Sequence, residues 1–438
     1  MNADSSPTSR ADASKKPRKL QAVRGMNDLL PTQVGAWHRV EQALREVAWG
    51  YGYQEIRTPI VEHAELFAQS IGDDTDIVAK EMYAFTDAGD AKLALRPEAT
   101  ASTVRACNQH GLLHNQCARL WYLGPMFRRE RPQKGRYRQF HQFGIEAFGW
   151  FGPDIDAEVI RVGARIWEVL GITGVSLQLN TLGSRQTRAL YRRALQDYLR
   201  DHRQRLDADS VKRLETNPLR VLDSKDESTK QVVADAPDIL SFLDDDARAH
   251  FDGLCESLHQ SGIAFRVNPH LVRGLDYYTG GVFEWVTDEL GAQNAVCAGG
   301  RYDSLVASRG GRATPGVGFA LGLERVIELA QAQRGDSATA TTITDIYVAH
   351  QDASAQAVEI SERLRRAGLK VTMHCGGGKL QKQLKRADAS GARLAIIADA
   401  GATARVKRLD LGEQQSVEVD QIATWCREHL QPINPEAI

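Results

Sequence analysis

The stretch FRRERPQKGRYRQFHQFGIE, residues 127–146, places a basic segment directly before an alternating strand. Residues 128–138 contain six arginines and lysines, and Glu130 is the only acidic residue among them. The whole chain of 438 residues has a formal net charge of −1. A polyanionic partner would therefore be held by local patches such as this one, and not by a global field.

The sequences on both sides of the basic segment, ARLWYLGPMF (118–127) and YRQFHQFGIEAFGW (137–150), alternate with period two. Lys134 and Gly135 lie between them, so the whole region is predicted to form one long antiparallel hairpin. The basic segment would then occupy the tip of the hairpin.

Alternation also predicts which hairpin residues share a face. Arg128 lies on one face of the first strand, and Gln142 and Glu146 share a face of the second. If the two faces coincide, a guanidinium, an amide and a carboxylate line one floor. The alternative is a solvated polar face. The opposite face, with His141 and Phe143, is not uniformly apolar, which indicates that both faces are covered.

The pattern of elements predicts an α+β protein with two structured domains. The main body, residues 20–335, has strands on both sides of a charged, strand-free stretch at about 184–260, which is interpreted as a helical insertion. Residues 336–344 form a polar linker, and residues 345–438 follow as a β-α-β-α-β unit with a hairpin and a final helix. Residues 1–19 are predicted to be a disordered tail.

Several function classes are excluded by missing signatures. The six cysteines include no C-x-x-C pair, which favours buried thiols in a reducing cytosol. No apolar run approaches the roughly 18 residues of a membrane span. CGGGKL, residues 375–380, lacks two requirements of a P-loop, because Met373 replaces a glycine and Leu380 replaces Ser or Thr. No cluster of metal ligands is present.

Three arginines stand in contexts typical of a phosphate site. Arg128 begins the hairpin tip, Arg273 lies in LVRGLDYYTGG, and Arg325 follows GFALGLE at a predicted strand-to-helix junction. Guanidinium groups are rigid, permanently charged donors for phosphate oxygens. Together they indicate phosphoryl or nucleotidyl chemistry driven by electrostatic clamping.

A further segment, KLALRPEATASTVRAC (92–107), reads as a strand followed by a helix. Pro97 suits the first helical position, and Glu98 would then lie in the first turn. We therefore predict that this helix begins at Pro97.

With these segments in place, the sequence resembles the bacterial-type histidyl-tRNA synthetases, a family of class II aminoacyl-tRNA synthetases. The hairpin GPMFRRERPQKGRYRQFHQFGIE is similar to the second class II motif, GFALGLER to the third, and RTP to the end of the first. LVRGLDYY and GGRYD resemble two stretches peculiar to the histidine enzymes. The resemblance runs from about Gly25 to the C-terminus. The departures at Ala99 and Ala298 affect no residue with an assigned role.

The resemblance implies a class II antiparallel-sheet catalytic domain and a C-terminal α/β anticodon-binding domain. It implies ATP-dependent activation of L-histidine and transfer to the 3′ end of the histidine tRNA, in a cytoplasmic homodimer without membrane contact. Mg²⁺ would accompany ATP, with no metal cluster held by the protein. By the same resemblance, the first motif forms the dimer interface.

The resemblance also assigns roles to individual residues. Arg128 and Arg273 would be catalytic, because both contact the α-phosphate, and Arg273 stands where other class II enzymes use a metal ion. The residues that would bind histidine are Glu98, Thr100, Gln142, Glu146, Arg273, Tyr277 and Tyr278. Those that would bind ATP are Arg128, Arg136 and Arg325. At the hairpin tip, the residues that would contact tRNA are Arg131, Gln133 and Lys134.

Alternatives stay open for two of these predictions and for the function as a whole. Glu146 could instead be a structural partner of Arg128 or Arg138. The twelve arginines and lysines between Arg363 and Arg408, interpreted as an anticodon-binding patch, could be a solvated face. Synthetase-like regulatory subunits bind histidine without charging tRNA, and other class II enzymes activate other amino acids.

Overall fold

The computed structural model describes residues 19–72, 75, 77–133, 135–290, 294–334 and 344–430. These residues form two compact units, one ending at residue 334 and the other starting at residue 344. Residues 1–18 of the predicted tail and 336–343 of the predicted linker lie outside the described residues. The domain boundaries therefore stay predictions.

The first unit is built on an eight-stranded sheet in the order β1-β5-β6-β11-β10-β9-β7-β8, and β2, β4 and β3 form a small antiparallel sheet beside it. In the large sheet only the two edge pairs, β1 with β5 and β7 with β8, are parallel. The strands are β1 Gln54–Glu55, β2 Val61–His63, β3 Tyr83–Thr86, β4 Lys92–Leu95, β5 Ala118–Phe127, β6 Gln139–Phe148, β7 Ser176–Thr181, β8 Phe265–Val267, β9 Gly281–Val286, β10 Ala295–Arg301 and β11 Gly316–Gly322.

The helices of this unit are α1 Pro31–Gly50, α2 Ala64–Ile71, α3 Thr100–His110, α4 Pro153–Leu170, α5 Arg185–Asp201, α6 Ala208–Thr216, α7 Glu227–Ala234, α8 Asp245–Gln260, α9 Leu305–Ser308 and α10 Leu323–Arg334. Between β7 and β8 the chain contains only helices and short 3-10 turns. The fully described segment between these strands is therefore helical, as predicted.

The hairpin of β5 and β6 has the predicted face pairing. Met126 lies opposite Phe140, and Gly124 lies opposite Gln142. Directly opposite residues in an antiparallel pair point to the same face, so the predicted floor is formed. The other face is buried as well: Phe143 packs in a core with Trp37 of α1 and with residues of α4 and α10.

The second unit is a five-stranded sheet in the order β13-β12-β14-β15-β16, covered by three helices. Its elements are β12 Ile346–His350, α11 Ser354–Arg366, β13 Val371–Met373, α12 Leu380–Ala389, β14 Leu394–Ala398, β15 Thr403–Arg408, β16 Gln414–Glu418 and α13 Ile422–His429. Strands β12, β13 and β14 are parallel, and β15 and β16 form the predicted hairpin. The predicted α+β class with a C-terminal α/β domain is confirmed.

Candidate active site

One cavity of about 270 Å³ lies above the floor of the large sheet. Every residue that the sequence assigned to histidine or ATP lines it: Glu98, Thr100, Arg128, Arg136, Gln142, Glu146, Arg273, Tyr277, Tyr278 and Arg325. These residues come from the hairpin, the start of α3, the start of α10 and the irregular loop between β8 and β9. The fold thus joins segments that are far apart in sequence.

Glu146 lies at the closed end of the floor and is 1% exposed. Its carboxylate accepts a hydrogen bond from the Thr100 hydroxyl at 2.6 Å and another from the hydroxyl of Tyr302. Burial raises the pKa of Glu146 to about 8, although the hydrogen bonds from Thr100 and Tyr302 oppose that rise. The carboxyl group is therefore mostly protonated at neutral pH when no ligand is bound.

The described contacts do not support Glu146 as an arginine's structural partner. The Arg128 Nε donates to the Pro97 carbonyl at 2.9 Å, and the Arg138 Nε donates to the Glu130 carbonyl at 3.1 Å. Neither guanidinium is bonded to the Glu146 carboxylate. The described contacts therefore do not favour the alternative interpretation of Glu146.

Two glycines make room for the large side chains of the floor. A Cβ at Gly144 would overlap the Tyr122 ring, and a Cβ at Gly318 would overlap the Glu146 carboxylate. Gly144 lies on β6 and Gly318 lies on β11, and these two strands are neighbours in the sheet. Because the backbone approaches these side chains so closely, only glycine, which has no Cβ, fits at the two positions.

Glu98 lies before helix α3, whereas the sequence predicted it in the first turn of that helix. Helix α3 begins at Thr100, so the predicted start at Pro97 was wrong. The Glu98 carboxylate precedes the helix and accepts from the backbone N–H groups of Thr100 at 2.6 Å and Ala101 at 3.0 Å. It thereby satisfies two orphan donors of the first turn. Burial raises the pKa of Glu98 despite these bonds.

Arg128 and Arg273 face the cavity from different walls. The Arg128 guanidinium lies 5.3 Å from the Phe140 ring centroid, and burial lowers its pKa. Arg273 is ion-paired with Glu284 and lies 5.7 Å from the Tyr278 ring centroid. Burial alone would lower the pKa of Arg273, but the Glu284 carboxylate and the neighbouring tyrosines outweigh it and the pKa rises.

Arg325 and Arg136 complete the basic side of the cavity. The Arg325 Nε donates to the Gly135 carbonyl at 3.0 Å and its Nη1 to the Ala295 carbonyl at 2.6 Å, which ties α10 to the hairpin tip. Arg136 is ion-paired with Glu130. Burial lowers the pKa of both arginines.

Several buried polar atoms of the cavity lining have no hydrogen-bond partner within the described structure. The Gln142 Oε1 and the Arg273 Nε are among them. A buried polar atom without a partner costs free energy, and both atoms belong to cavity-lining side chains. The arrangement fits a polar ligand that supplies both a donor and an acceptor.

The predicted tRNA-contacting residues lie apart from this cavity. Arg131 and Gln133 are exposed, and the backbone N–H of Gln133 donates to the carbonyl of Arg136 at 3.1 Å in a tight turn. Lys134 lies outside the described residues. The described part of the tip is therefore a solvent-exposed turn beside the basic side of the cavity.

Tyr302 and Glu284 are site residues to which the sequence analysis assigned no role. Tyr302 was visible in GGRYD, where two glycines preceding a tyrosine indicate close approach of the backbone. Its ring lies 5.6 Å from that of Tyr277 in an edge-on contact. Glu284 pairs with Ala298 across β9 and β10 and so shares the floor. Only the strand register could have identified it.

No group of three or more His, Cys, Asp and Glu side chains within the described ranges could hold a metal ion. In the same ranges, no helix is long and apolar enough to cross a membrane.

The basic residues of the second unit are partly neutralised. Four arginines between Arg363 and Arg408 pair with carboxylates: Arg363 with Asp420, Arg365 with Glu362, Arg405 with Asp399 and Arg408 with Asp410. Helix α12 contributes Lys382, Lys385 and Arg386. The patch is therefore weaker than the residue count suggested, and it is strongest around α12.

Each of the two units matches a known protein family. The family model for histidyl-tRNA synthetase matches residues 25–326, and the model for the anticodon binding domain matches residues 344–429. The crystal structure of apo histidyl-tRNA synthetase from S. aureus is 33% identical in sequence. It covers 93% of this chain and 100% of its own, with a TM-score of 0.78.

Two more distant structures share the fold. Histidyl-tRNA synthetase from Nostoc sp. PCC 7120 is 21% identical, covers 94% of this chain and 100% of its own, and has a TM-score of 0.66. A protein described as an ATP phosphoribosyltransferase regulatory subunit/histidyl-tRNA synthetase from Bacillus halodurans C is 22% identical, with 88% and 100% coverage and a TM-score of 0.65.

The fold and the matches define a class II synthetase core joined to an anticodon-binding domain. The chain belongs to the histidyl-tRNA synthetase family of class II histidine–tRNA ligases.

Proposed function

We propose that the protein activates L-histidine with ATP and transfers the histidyl group to the 3′ end of the histidine tRNA. One observation carries this proposal: a single cavity has a buried carboxyl group, Glu146, at one end and converging arginines at the other. Glu146 and Gln142 lie on one face of β6. They are four residues apart, a separation of about 13 Å along the strand. That length accommodates an amino acid joined to a phosphate.

The Glu146 end suits an imidazole ring. Imidazole offers an N–H donor at neutral pH, and Glu146 with a pKa of about 8 can share one proton with it. Thr100 and Tyr302 already occupy other lone pairs of the carboxylate, which fixes its orientation. Tyr277 and Tyr278 line the same region and would pack against the ring. The orphan acceptor of Gln142 would receive the α-amino group.

The arginine end suits adenylate formation. A histidine carboxylate oxygen attacks the α-phosphorus of ATP, the bond to the bridging oxygen breaks, and pyrophosphate leaves. Negative charge shifts towards the phosphate oxygens, where Arg128 and Arg273 would stabilise it as preorganised donors. Arg325 and Arg136 would bind the nucleotide and its phosphates. Mg²⁺ would accompany the ATP substrate.

The second step requires the acceptor end of the tRNA at the same cavity. A terminal ribose hydroxyl attacks the carbonyl carbon of the adenylate, and AMP leaves. Arg131, Gln133 and Lys134 at the hairpin tip would contact the acceptor end, and the second unit would bind the anticodon through its basic residues. Contacts of this kind position the RNA through its phosphates.

We also propose that the working protein is a cytoplasmic homodimer. Three apolar side chains near Pro59 are unusually exposed for a small sheet: Ile60 at 41%, Val61 at 40% and Phe85 at 46%. Exposed apolar side chains of this kind favour an interface. Light scattering at several protein concentrations would measure the mass, and a monomer throughout would contradict the dimer.

ATP–pyrophosphate exchange with a panel of amino acids tests the activation step. We expect exchange with histidine and none with the other amino acids. Aminoacylation of the histidine tRNA tests the second step. A protein that binds histidine but supports neither reaction would be a regulatory subunit, and the proposed function would then be wrong.

A chain that ends at Ser337 separates the two units. We expect it to keep histidine-dependent exchange, because the cavity residues all precede the cut, and to charge tRNA poorly. The full-length protein, assayed for both reactions in the same buffer, is the control. Equal charging by both chains would contradict the anticodon-binding role of the second unit.

A further inference from the structure

The loop between β8 and β9, residues 268–280, is called here the Arg273 loop. It brings Arg273, Tyr277 and Tyr278 to the substrate cavity but contains no helix or strand. Strands and helices fix their residues through repeated backbone hydrogen bonds, which this loop lacks. Its backbone contacts include Asp276 N–H to the carbonyl at the end of α2, at 3.1 Å. The position of the loop therefore depends on partners elsewhere in the chain.

A second cavity, of about 300 Å³, lies behind the Arg273 loop. Arg273, Leu275 and Tyr278 line both this cavity and the substrate cavity. The loop is thus a thin partition between two spaces. Apolar packing holds one part of this wall, because Leu271, Tyr277 and Tyr278 lie in a buried cluster. Directed polar contacts support it on the side of the second cavity.

The opposite wall of this rear cavity belongs to the helical insertion, and two of its arginines reach the loop. Arg188 of α5 donates a hydrogen bond to the carbonyl of Tyr278. Arg220, in the 3-10 turn that follows α6, donates to the carbonyl of Gly274. The Arg220 Nη2 also lies 3.9 Å from the Asp276 carboxylate. The two arginines therefore bind the loop backbone at Gly274 and Tyr278, near the two ends of the segment that reaches the substrate cavity.

The chemistry of these contacts makes them directional. Arg188 is a partly desolvated cation, and burial lowers its pKa. Its guanidinium donates to the Tyr278 carbonyl. A hydrogen bond from a charged donor is stronger than a neutral one. Gly274 directly follows Arg273 in the chain, so a shift of its carbonyl moves the neighbouring guanidinium. Misplacement of a reacting group by about 1 Å costs on the order of a hundredfold in rate.

We propose that the helical insertion supports the Arg273 loop from behind, with Arg188 and Arg220 as positioning residues for histidine activation. This inference rests on the proposed function. Neither arginine lines the substrate cavity. They hold Arg273 and Tyr278 where those side chains meet the substrate.

Arg188→Ala and Arg220→Ala test the proposal in the full-length protein, with Arg192→Ala as a matched control. Arg192 lies one turn further along α5 and donates to the Thr216 carbonyl at 2.7 Å, so its contact stays within the insertion. Pyrophosphate exchange gives kcat and the KM values for histidine and ATP. Calorimetry with histidine alone gives binding without chemistry, and the melting temperature reports the fold.

We expect Arg188→Ala and Arg220→Ala to raise the KM for histidine about tenfold and to lower kcat by a similar factor, as for loss of a charged hydrogen bond. Arg192→Ala should change neither by more than about twofold while lowering the melting temperature comparably. Arg188→Lys should recover part of the loss, because an ammonium group can still donate to the carbonyl. If Arg188→Ala destroys the fold, the lysine variant and Arg220→Gln carry the test.

Equal histidine KM values for the Arg188, Arg220 and Arg192 variants would overturn the proposal. So would a loss confined to the melting temperature. These outcomes differ from failure of the proposed function, which would appear as absent exchange in the unsubstituted protein. In that case the histidine affinities from calorimetry decide the positioning role, and unchanged affinities in both loop-contacting variants would refute it.

Discussion

The floor and one wall of the active-site cavity are built in opposite ways. The floor, with Gln142 and Glu146, lies on central strands that are paired on both sides. The wall, with Arg273 and Tyr278, lies on a loop without regular structure and with a cavity on each side. The floor is fixed by backbone ladders and core packing, whereas the wall has no ladder and depends on side-chain packing and a few polar contacts.

The difference matches the two tasks of the proposed reaction. Reading one side chain requires a rigid group whose partners are always present, and Glu146 keeps Thr100 and Tyr302 as partners without substrate. Clamping phosphates as they react requires charged groups aimed at the substrate, and Arg273 keeps a buried Nε without a partner. We therefore expect the loss of Arg273 from the wall to act mainly on rate and changes in the floor to act mainly on histidine binding.

The largest expected effect comes from the wall. Arg273→His should slow pyrophosphate exchange by about 10²–10³-fold, because one preorganised charged donor to the α-phosphate is lost. Histidine binding should weaken less than the rate falls. Pyrophosphate exchange measures the rate, and calorimetry with histidine measures the binding affinity.

Arg266→His is a suitable control for that substitution. Arg266 is exposed on β8, and the same change there should leave both quantities nearly unaltered. An exchange rate near that of the unsubstituted protein in Arg273→His would contradict a role for Arg273 in catalysis.

The same contrast explains how much could be predicted from the sequence. The hairpin was predictable because alternation fixes which residues share a face, so Arg128, Gln142 and Glu146 were grouped correctly around one cavity. The C-terminal unit was predictable because its helices and strands alternate regularly. Both depend on short-range periodicity, which a single sequence displays.

Contacts between distant segments were not predictable in this way. Tyr302 reaches Glu146 across 156 positions of the chain, and Arg188 reaches Tyr278 across 90. Neither pairing leaves a periodic signal, because it depends on how strands and helices come together. The start of α3 was also misjudged, because Glu98 caps the helix from outside while Pro97 suggested an earlier beginning.

A second test acts on the floor. Glu146→Ala should raise the KM for histidine about 10- to 100-fold, as expected for loss of a charge-assisted hydrogen bond in which Glu146 and the imidazole share a proton. The KM for ATP should stay within a few-fold, because Glu146 makes no described bond to an arginine. Pyrophosphate exchange with either substrate varied measures both constants. Equal changes in the two constants would show that Glu146 supports the phosphate end, and the contrast between floor and wall would fail.

The smallest effect is expected at Thr100, whose hydroxyl donates to Glu146 at 2.6 Å. Burial raises the pKa of Glu146 from its usual value of 4.5 to about 8, and the Thr100 hydrogen bond opposes that rise. Thr100→Val keeps the shape but removes the donor, so the pKa of Glu146 should rise further. Glu146 stays protonated in the variant up to a higher pH than in the unsubstituted protein.

The sign of the stability change follows from proton linkage. Because the folded-state pKa of Glu146 is raised, its contribution to the free energy of unfolding is complete below about pH 4.5 and is lost as pH rises through about 8. Thr100→Val should therefore cost about 1 kcal/mol at pH 6, where a neutral hydrogen bond is lost, and about 2 kcal/mol at pH 9, where the lost bond is to a carboxylate. Denaturant unfolding at both pH values measures this difference, with Thr100→Ser, which keeps the hydroxyl, as the control. A cost that does not change between pH 6 and pH 9 would mean that Glu146 does not titrate in this range, and the proposed proton sharing with the imidazole would lose its basis.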